Sequence, residues 1–322
     1  MEYIDVLRLI DATLRLSTPL ILCAMAGLIS ERAGVIDIGL EGKLLAAAFA
    51  SAAVASLTGS PWLGLLVAMA VAMVLGLIHG FACITHKGEQ IISGVAINIL
   101  ASGITVVLGI ALFSQGGQTP ILDRDERFGP VVLPLAETLS GIPVLGPLYT
   151  ELISGHTVPV YLAIIAVPLI WWMLYRTTFG LRLRAVGEMP AAVDSAGVSV
   201  VVLRYRAVII AGLLCGIAGA YLSTAHGAGF VREMSAGKGF IALAAMIFGK
   251  WKPWPVLGAC LLFGFLEAGS ARLQGVELPL IGSTPVEMIL VLPYIVTVVL
   301  LAGFFGKAVP PKALGIPYLK ER

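Results

Sequence analysis

Residues 176–206 read RTTFGLRLRAVGEMPAAVDSAGVSVVVLRYR, the longest polar island downstream of residue 157. Five arginines (Arg176, Arg182, Arg184, Arg204 and Arg206) meet two acids there, Glu188 and Asp194. Apolar segments of bilayer length flank the island, ending near Tyr175 and resuming near Tyr205. Lys and Arg in a short loop between membrane helices mark the cytoplasmic side, so this island orients the whole chain. Within it, Pro190 suits a first helical position, residues 191–196 a short helix, and Gly197 a left-handed stop. A short surface helix between two spans adds little stability. It reads as a docking element for something in the cytoplasm.

Composition agrees with a membrane setting. The 322 residues are 58% hydrophobic and 12% charged, with mean hydropathy +0.97, whereas soluble domains carry about 25% charged residues. Apolar runs of about 20 residues without period-2 alternation indicate helices rather than a barrel. The expected fold is therefore all-α, a polytopic membrane protein with about nine spans (eight to ten), some broken, in one domain over residues 1–322. A net charge of +2 does not point to nucleic acid. Cys23, Cys83, Cys215 and Cys260 lie scattered in apolar segments and read as small buried hydrophobes. Residues 1–9 hold Glu2 and Asp5 rather than a basic leader, so the chain is expected to stay whole in the membrane.

Working outward from the island, spans are expected at 12–30, 34–57, 62–85, 91–113 and 158–175 before it. Residues 1–11 suggest a short interfacial helix ahead of the first. The loop 114–157 is rich in Pro and Gly and holds Asp123, Asp125, Glu126, Glu137 and Glu151 against Arg124 and Arg127. That balance is opposite to the arginine island and marks an external loop. After the island, 207–224 goes out, 225–238 is external, 239–249 returns, 256–271 goes out and 286–305 comes back. This order places the N-terminus outside and the basic tail 306–322 inside. The stretch 239–249 is too short to cross alone unless irregular residues before it sit in a protein-lined cavity. It also resembles GVIDIGLEGKLLAAA at 34–48: both are Gly-punctuated starts of small-residue helices, one in each half of the chain. Paired interrupted helices point to a substrate path near the midplane.

Catalytic machinery is absent from the motifs. Four Gly-Lys pairs occur, at 42–43, 237–238, 249–250 and 306–307, and none sits in a P-loop. No HExxH, GxSxG or CxxC is found, and His79, His86, His156 and His226 lie far apart. No catalytic residue, metal or cofactor is expected. Polar groups do fall inside probable spans: Asp37, Glu41, Ser93, Asn98, Thr105 and Glu267. A charge near a helix centre costs about 2.5–3.5 kcal/mol, so such groups face a cavity or a partner and are candidates for a translocation path. Other readings stand beside this one. Asp37 and Glu41 also suit a cytoplasmic helix start, Asn98 an interhelical hydrogen bond, and Glu267 a pair with Arg272.

GVIDIGLEGKLL, EQIISGVAINIL, the island TTFGLRLRAVGEMPAAVDSAGV and GKGFIALAAMIFGKWKP, in this order, resemble the membrane permeases of bacterial ABC importers. The group is the one that takes up ribose, galactose, xylose and nucleosides. ERAGVIDIGLEG is more similar to the nucleoside type, which usually reads NIGLEG, than to the sugar type; Asp37 stands where that type has Asn. The resemblance implies a multi-pass protein of the bacterial inner membrane. It also implies a cytoplasmic ATPase, a second permease subunit (a paralogue or a second copy) and an extracytoplasmic binding protein. Coupling to the ATPase would then fall to Arg182, Arg184, Gly187, Glu188, Pro190, Ala191, Ala192 and Gly197, and the loop 114–157 would meet the binding protein. Three alternatives remain: the same machinery carrying ribose or galactose, a proton-coupled secondary transporter using Glu267 or Glu41 as relay, or a membrane scaffold or channel without coupled transport.

Overall fold

A computed structural model describes residues 3–134, 136, 142, 144–273, 277–278, 282–283, 291, 295 and 308–320. The first helix, α1 (Tyr3–Arg32), runs unbroken through Pro19. The expected division at residue 11 is corrected: Arg15 pairs with Asp11 one turn back, and Leu7 is buried, so the early residues are already part of the packed helix. An irregular stretch leads to α2 (Leu40–Thr58). Then come α3 (Pro61–Gly80), which continues into a π turn at Phe81–Thr85, and α4 (Gln90–Phe113).

The outer loop carries a 3-10 turn at Arg124–Glu126 and α5 (Leu145–Leu152); Glu137 lies outside the described residues. Next are α6 (Val158–Arg176), α7 (Thr178–Glu188), α8 (Pro190–Ser195) and α9 (Val200–Tyr221), the last extended by a π turn at Leu222–His226. The half-length α10 (Lys238–Phe248) precedes α11 (Pro253–Leu273). The two-residue strands β1 (Glu277–Leu278) and β2 (Gly282–Ser283) pair antiparallel. Seven helices among the described residues are long and apolar enough to span a membrane: α1, α2, α3, α4, α6, α9 and α11. The expected last span, 286–305, lies outside the described residues except for Val291 and Ile295.

Packing explains why residues 20–29 of α1 are apolar on every side. The helix contacts α2, α6, α9, α10 and α11, and residues 20–26 are almost wholly enclosed. A helix surrounded on all sides is apolar on all sides. Helix association in lipid depends on close approach at small residues. On α9, Gly212 and Gly216 face α3 so closely that a Cβ on Gly212 would lie 2.7 Å from Met73 Cα. Gly219, further along the same helix, meets Ala47 and Leu44 of α2. By contrast α3 and α4 keep wide apolar faces exposed, with Leu66, Val74, Ile78, Ile92, Ile99 and Val107 among them.

The helix ends sort into two sides. Arg32, Gly187, Arg204, Trp251 and residues 311–316 gather at one end. This end holds the arginine island, which the positive-inside rule assigns to the cytoplasm, and the start of α1 lies at the opposite end. The expectation that 225–238 is simply external is corrected. Gly229 lies beside Pro120 of the outer loop, but by Gly237 and Gly239 the chain has reached Glu41 at the start of α2. The backbone follows this inward course because an acceptor waits for it inside.

Candidate functional site

At the cytoplasmic end, Thr177 caps α7 through its side chain, so the arginine-rich residues 178–188 are helical where the sequence predicts a short helix at 191–196 alone. The break at Met189 and Pro190 then starts α8, and Gly197 takes φ +78° immediately after it. Val193 of α8 is buried with Val186, Val200 and Leu203. That anchor turns Ala191 and Ala192 outward, and Glu188 and Gly197 are exposed as well. Arg182 is exposed, whereas Arg184 lays its guanidinium over the Tyr175 ring at 4.7 Å. Pro190 is half-buried. Gly187 is enclosed, and a Cβ there would collide with the Arg32 carbonyl.

The tail fastens this surface from below. Ala313 N–H donates to Gly187 O at 2.8 Å, Gly315 N–H donates to Gly34 O at 3.2 Å, and Lys320 Nζ lies 3.6 Å from Asp194. Arg204, nearly buried, donates to Ala33 O at 3.2 Å and to Ile316 O at 3.1 Å. The lead-in to α2, the segment from Gly187 to Arg204 and the tail are therefore one hydrogen-bonded assembly.

Deeper in, the sequence-predicted polar residues meet around the lead-in to α2. Asp37 and Lys43 form a fully enclosed ion pair, with Nζ 2.7 and 2.6 Å from the two carboxylate oxygens. Ser93 hydroxyl lies 3.0 Å from His79 Nδ1, and the other ring nitrogen of His79 is 2.9 Å from Ile36 O. Asn98 bridges α4 to this stretch: its Oδ1 accepts Gly42 N–H at 2.7 Å and its Nδ2 donates to Ile38 O at 3.1 Å. Glu41 reaches the other interrupted element, accepting Gly237 N–H at 2.8 Å and Gly239 N–H at 2.6 Å. Orphan N–H groups at the start of α10 are thus satisfied by a carboxylate from α2, which also complements the helix dipole.

Two candidates lie elsewhere. Thr105 donates back to Ser102 O at 3.1 Å and lines an apolar cleft of about 360 Å³ between α2, α3 and α4. Glu267 of α11 pairs with Lys238 at 2.7 Å rather than with Arg272, which donates to Asp5 O at 2.8 Å. Sequence reading did not single out Lys43, His79, Lys238 or Glu233. Lys43 and His79 carried the signal that picked Asp37 and Glu41, a polar group inside an otherwise apolar stretch, whereas Glu233 and Lys238 sit in the polar segment 225–238 and carried none.

This architecture has relatives. Residues 9–301 match the sequence family described as the branched-chain amino acid transport system / permease component. The chain belongs to that family. It is 40% identical to the guanosine ABC transporter permease protein NupQ of Bacillus subtilis, over 100% of both chains. It is 37% identical to the nucleoside ABC transporter permease protein NupC of Lactococcus lactis, again over 100% of both. TsgC13 of Haloferax volcanii, an ABC transporter permease provisionally assigned to glucose, is 39% identical over 88% of this chain and 82% of its own. As a permease of this family with seven described spans, the protein is a multi-pass component of the cytoplasmic membrane. In that setting the exposed α8 and its neighbours form a candidate coupling surface, and the interrupted pair around α2 and α10 a candidate wall of the path.

Proposed function

We propose that this permease is one membrane subunit of an ABC importer for nucleosides or related ribosyl compounds. A second permease subunit, a paralogue or a second copy, would complete the path. A separate cytoplasmic ATPase supplies the energy and an extracytoplasmic binding protein delivers the substrate. The observation that carries the cargo is the end-to-end match to permeases named for guanosine and for nucleosides.

The proposed coupling element is α8 with its flanks. Val193 anchors it and leaves Ala191 and Ala192 facing the cytoplasm, a small-residue ridge suited to a groove in an ATPase. Arg182 and Glu188, both exposed, offer charges to the rim of that contact. Nucleotide-driven movement of this ridge would pass through Gly187 to Arg32 and the lead-in to α2. A proton relay is less well supported, because Glu41 is occupied by two backbone N–H groups and Glu267 by Lys238.

The test is uptake of radiolabelled guanosine, inosine and glucose by cells carrying the whole transport locus, with and without this gene, and with the proton gradient collapsed while ATP is maintained. Gene-dependent nucleoside uptake that survives collapse is expected. Glucose uptake alone, which the relative TsgC13 makes the second reading, would keep the machine and change the cargo. Uptake lost with the gradient would remove the importer.

A further inference from the structure

Most of the exposed surface at membrane depth on α3 and α4 is aliphatic, as a lipid-facing surface requires. One seam breaks the pattern. Ser102, midway along α4, donates its hydroxyl to Glu233, an exposed residue in the inward-running segment before α10. Five residues further along the chain from Glu233, Lys238 Nζ meets Glu267 Oε1 at 2.7 Å, with side chains 14% and 40% exposed. His226, exposed at the end of α9's π turn, lies within electrostatic reach of Lys238 and Glu267.

These groups are deep. Lys238 begins α10, and Phe248 ends it at the cytoplasmic side; at 1.5 Å per residue the two are about 15 Å apart. That is roughly half the ~30 Å hydrocarbon thickness. Charges facing lipid there would each cost about 2.5–3.5 kcal/mol. The seam is therefore faced by water or by protein.

We propose that Ser102, Glu233, Lys238 and Glu267 line the aqueous translocation path and bind an uncharged, hydroxyl-rich ligand, the ribosyl part of a nucleoside. The proposal rests on the permease reading above. Ribose hydroxyls both donate and accept, so they can exchange with the Ser102–Glu233 bond and the Lys238–Glu267 pair without leaving a partner bare. Selectivity against phosphorylated compounds follows from charge, since the seam sets one ammonium against two carboxylates. No tight site is needed, because the hydrogen bonds gained replace hydrogen bonds already made.

The experiment uses the full complex of both permeases, ATPase and binding protein in proteoliposomes. Glu233→Cys, Lys238→Cys and Ser102→Cys are made singly; the native Cys23, Cys83, Cys215 and Cys260 are buried. Ile99→Cys, on the exposed aliphatic face of α4, serves as the lipid-facing control. The probe is a charged, membrane-impermeant methanethiosulfonate. Seam cysteines are expected to react at least tenfold faster than Ile99→Cys without nucleotide, to slow at least tenfold on vanadate trapping, and to be protected by guanosine but not by guanosine monophosphate. Reaction rates no faster than the control in every nucleotide state, at all three positions, would overturn the path. Nucleotide-dependent labelling protected by glucose and not by guanosine would keep the wall and remove the nucleoside cargo.

Discussion

The Glu41 carboxylate at the start of α2 accepts the backbone N–H of Gly239 at the start of α10 at 2.6 Å, across 198 positions of sequence. A second bond from Gly237 N–H makes the contact bidentate. Gly239 has no room for a side chain, because a Cβ would lie 2.6 Å from Glu41 Cα. The two interrupted elements are thus joined end to end by one carboxylate. Glu41→Ala is expected to destabilise the purified protein by about 1–3 kcal/mol, the cost of leaving buried donors unmet. Glu41→Gln, which keeps one acceptor, should lose less. Thermal release of the four buried cysteines to a thiol dye reads both, and equal melting of Ala, Gln and wild type would exclude the cap.

The Asp37–Lys43 pair is wholly enclosed. Removing one partner strands the other charge, so Lys43→Met should cost about 3–5 kcal/mol. The double change Asp37→Asn with Lys43→Met should recover most of that loss. The same thermal assay checks the cycle. Additive losses would mean the two residues act separately.

Asn98 staples α4 to the lead-in of α2 through two bonds. Asn98→Ala should cost about 1–3 kcal/mol of stability by orphaning Gly42 N–H and Ile38 O. Substrate-stimulated ATP hydrolysis is the second readout. A stable variant that has lost stimulation would make Asn98 a path residue instead of a staple.

On α8, neighbours one position apart should behave in opposite ways. Ala192→Glu, on the exposed side, is expected to abolish co-purification of the ATPase while leaving melting unchanged. Val193→Asp, in the small buried cluster, should lower the melting temperature itself. An Ala192→Glu complex that survives purification intact would place the ATPase contact elsewhere.

Local signals in the sequence were legible almost residue by residue. Pro190 and Gly197 bracket α8 because the proline ring fixes a helical φ while glycine tolerates the left-handed φ of the stop, and bilayer-length apolar runs give α4 and α6 nearly to their ends. Partnerships were not legible, because they are set by packing between distant helices. Glu41 meets Gly239, and Glu267 chooses Lys238 over Arg272. The last case has a simple geometric cause: at about 100° per residue, positions five apart on a helix point some 140° away from each other. The inward course of 227–237 was legible only as a condition, since 239–249 is too short to cross unless the residues before it run inside the protein; that Glu41 receives them was not readable. Helix α7 was missed because its arginines read as loop, although Thr177 is a good cap and Leu183 and Val186 are buried.

The tail that clasps Gly187, Gly34 and Arg204 follows every helix of the described structure in the chain. During synthesis the α7–α8 surface is made well before residues 311–316 emerge to fasten it. A ribosome-bound intermediate therefore carries an unfinished cytoplasmic face, in which the Gly187 carbonyl and the Arg204 guanidinium go without these partners until residues 313–316 have been made.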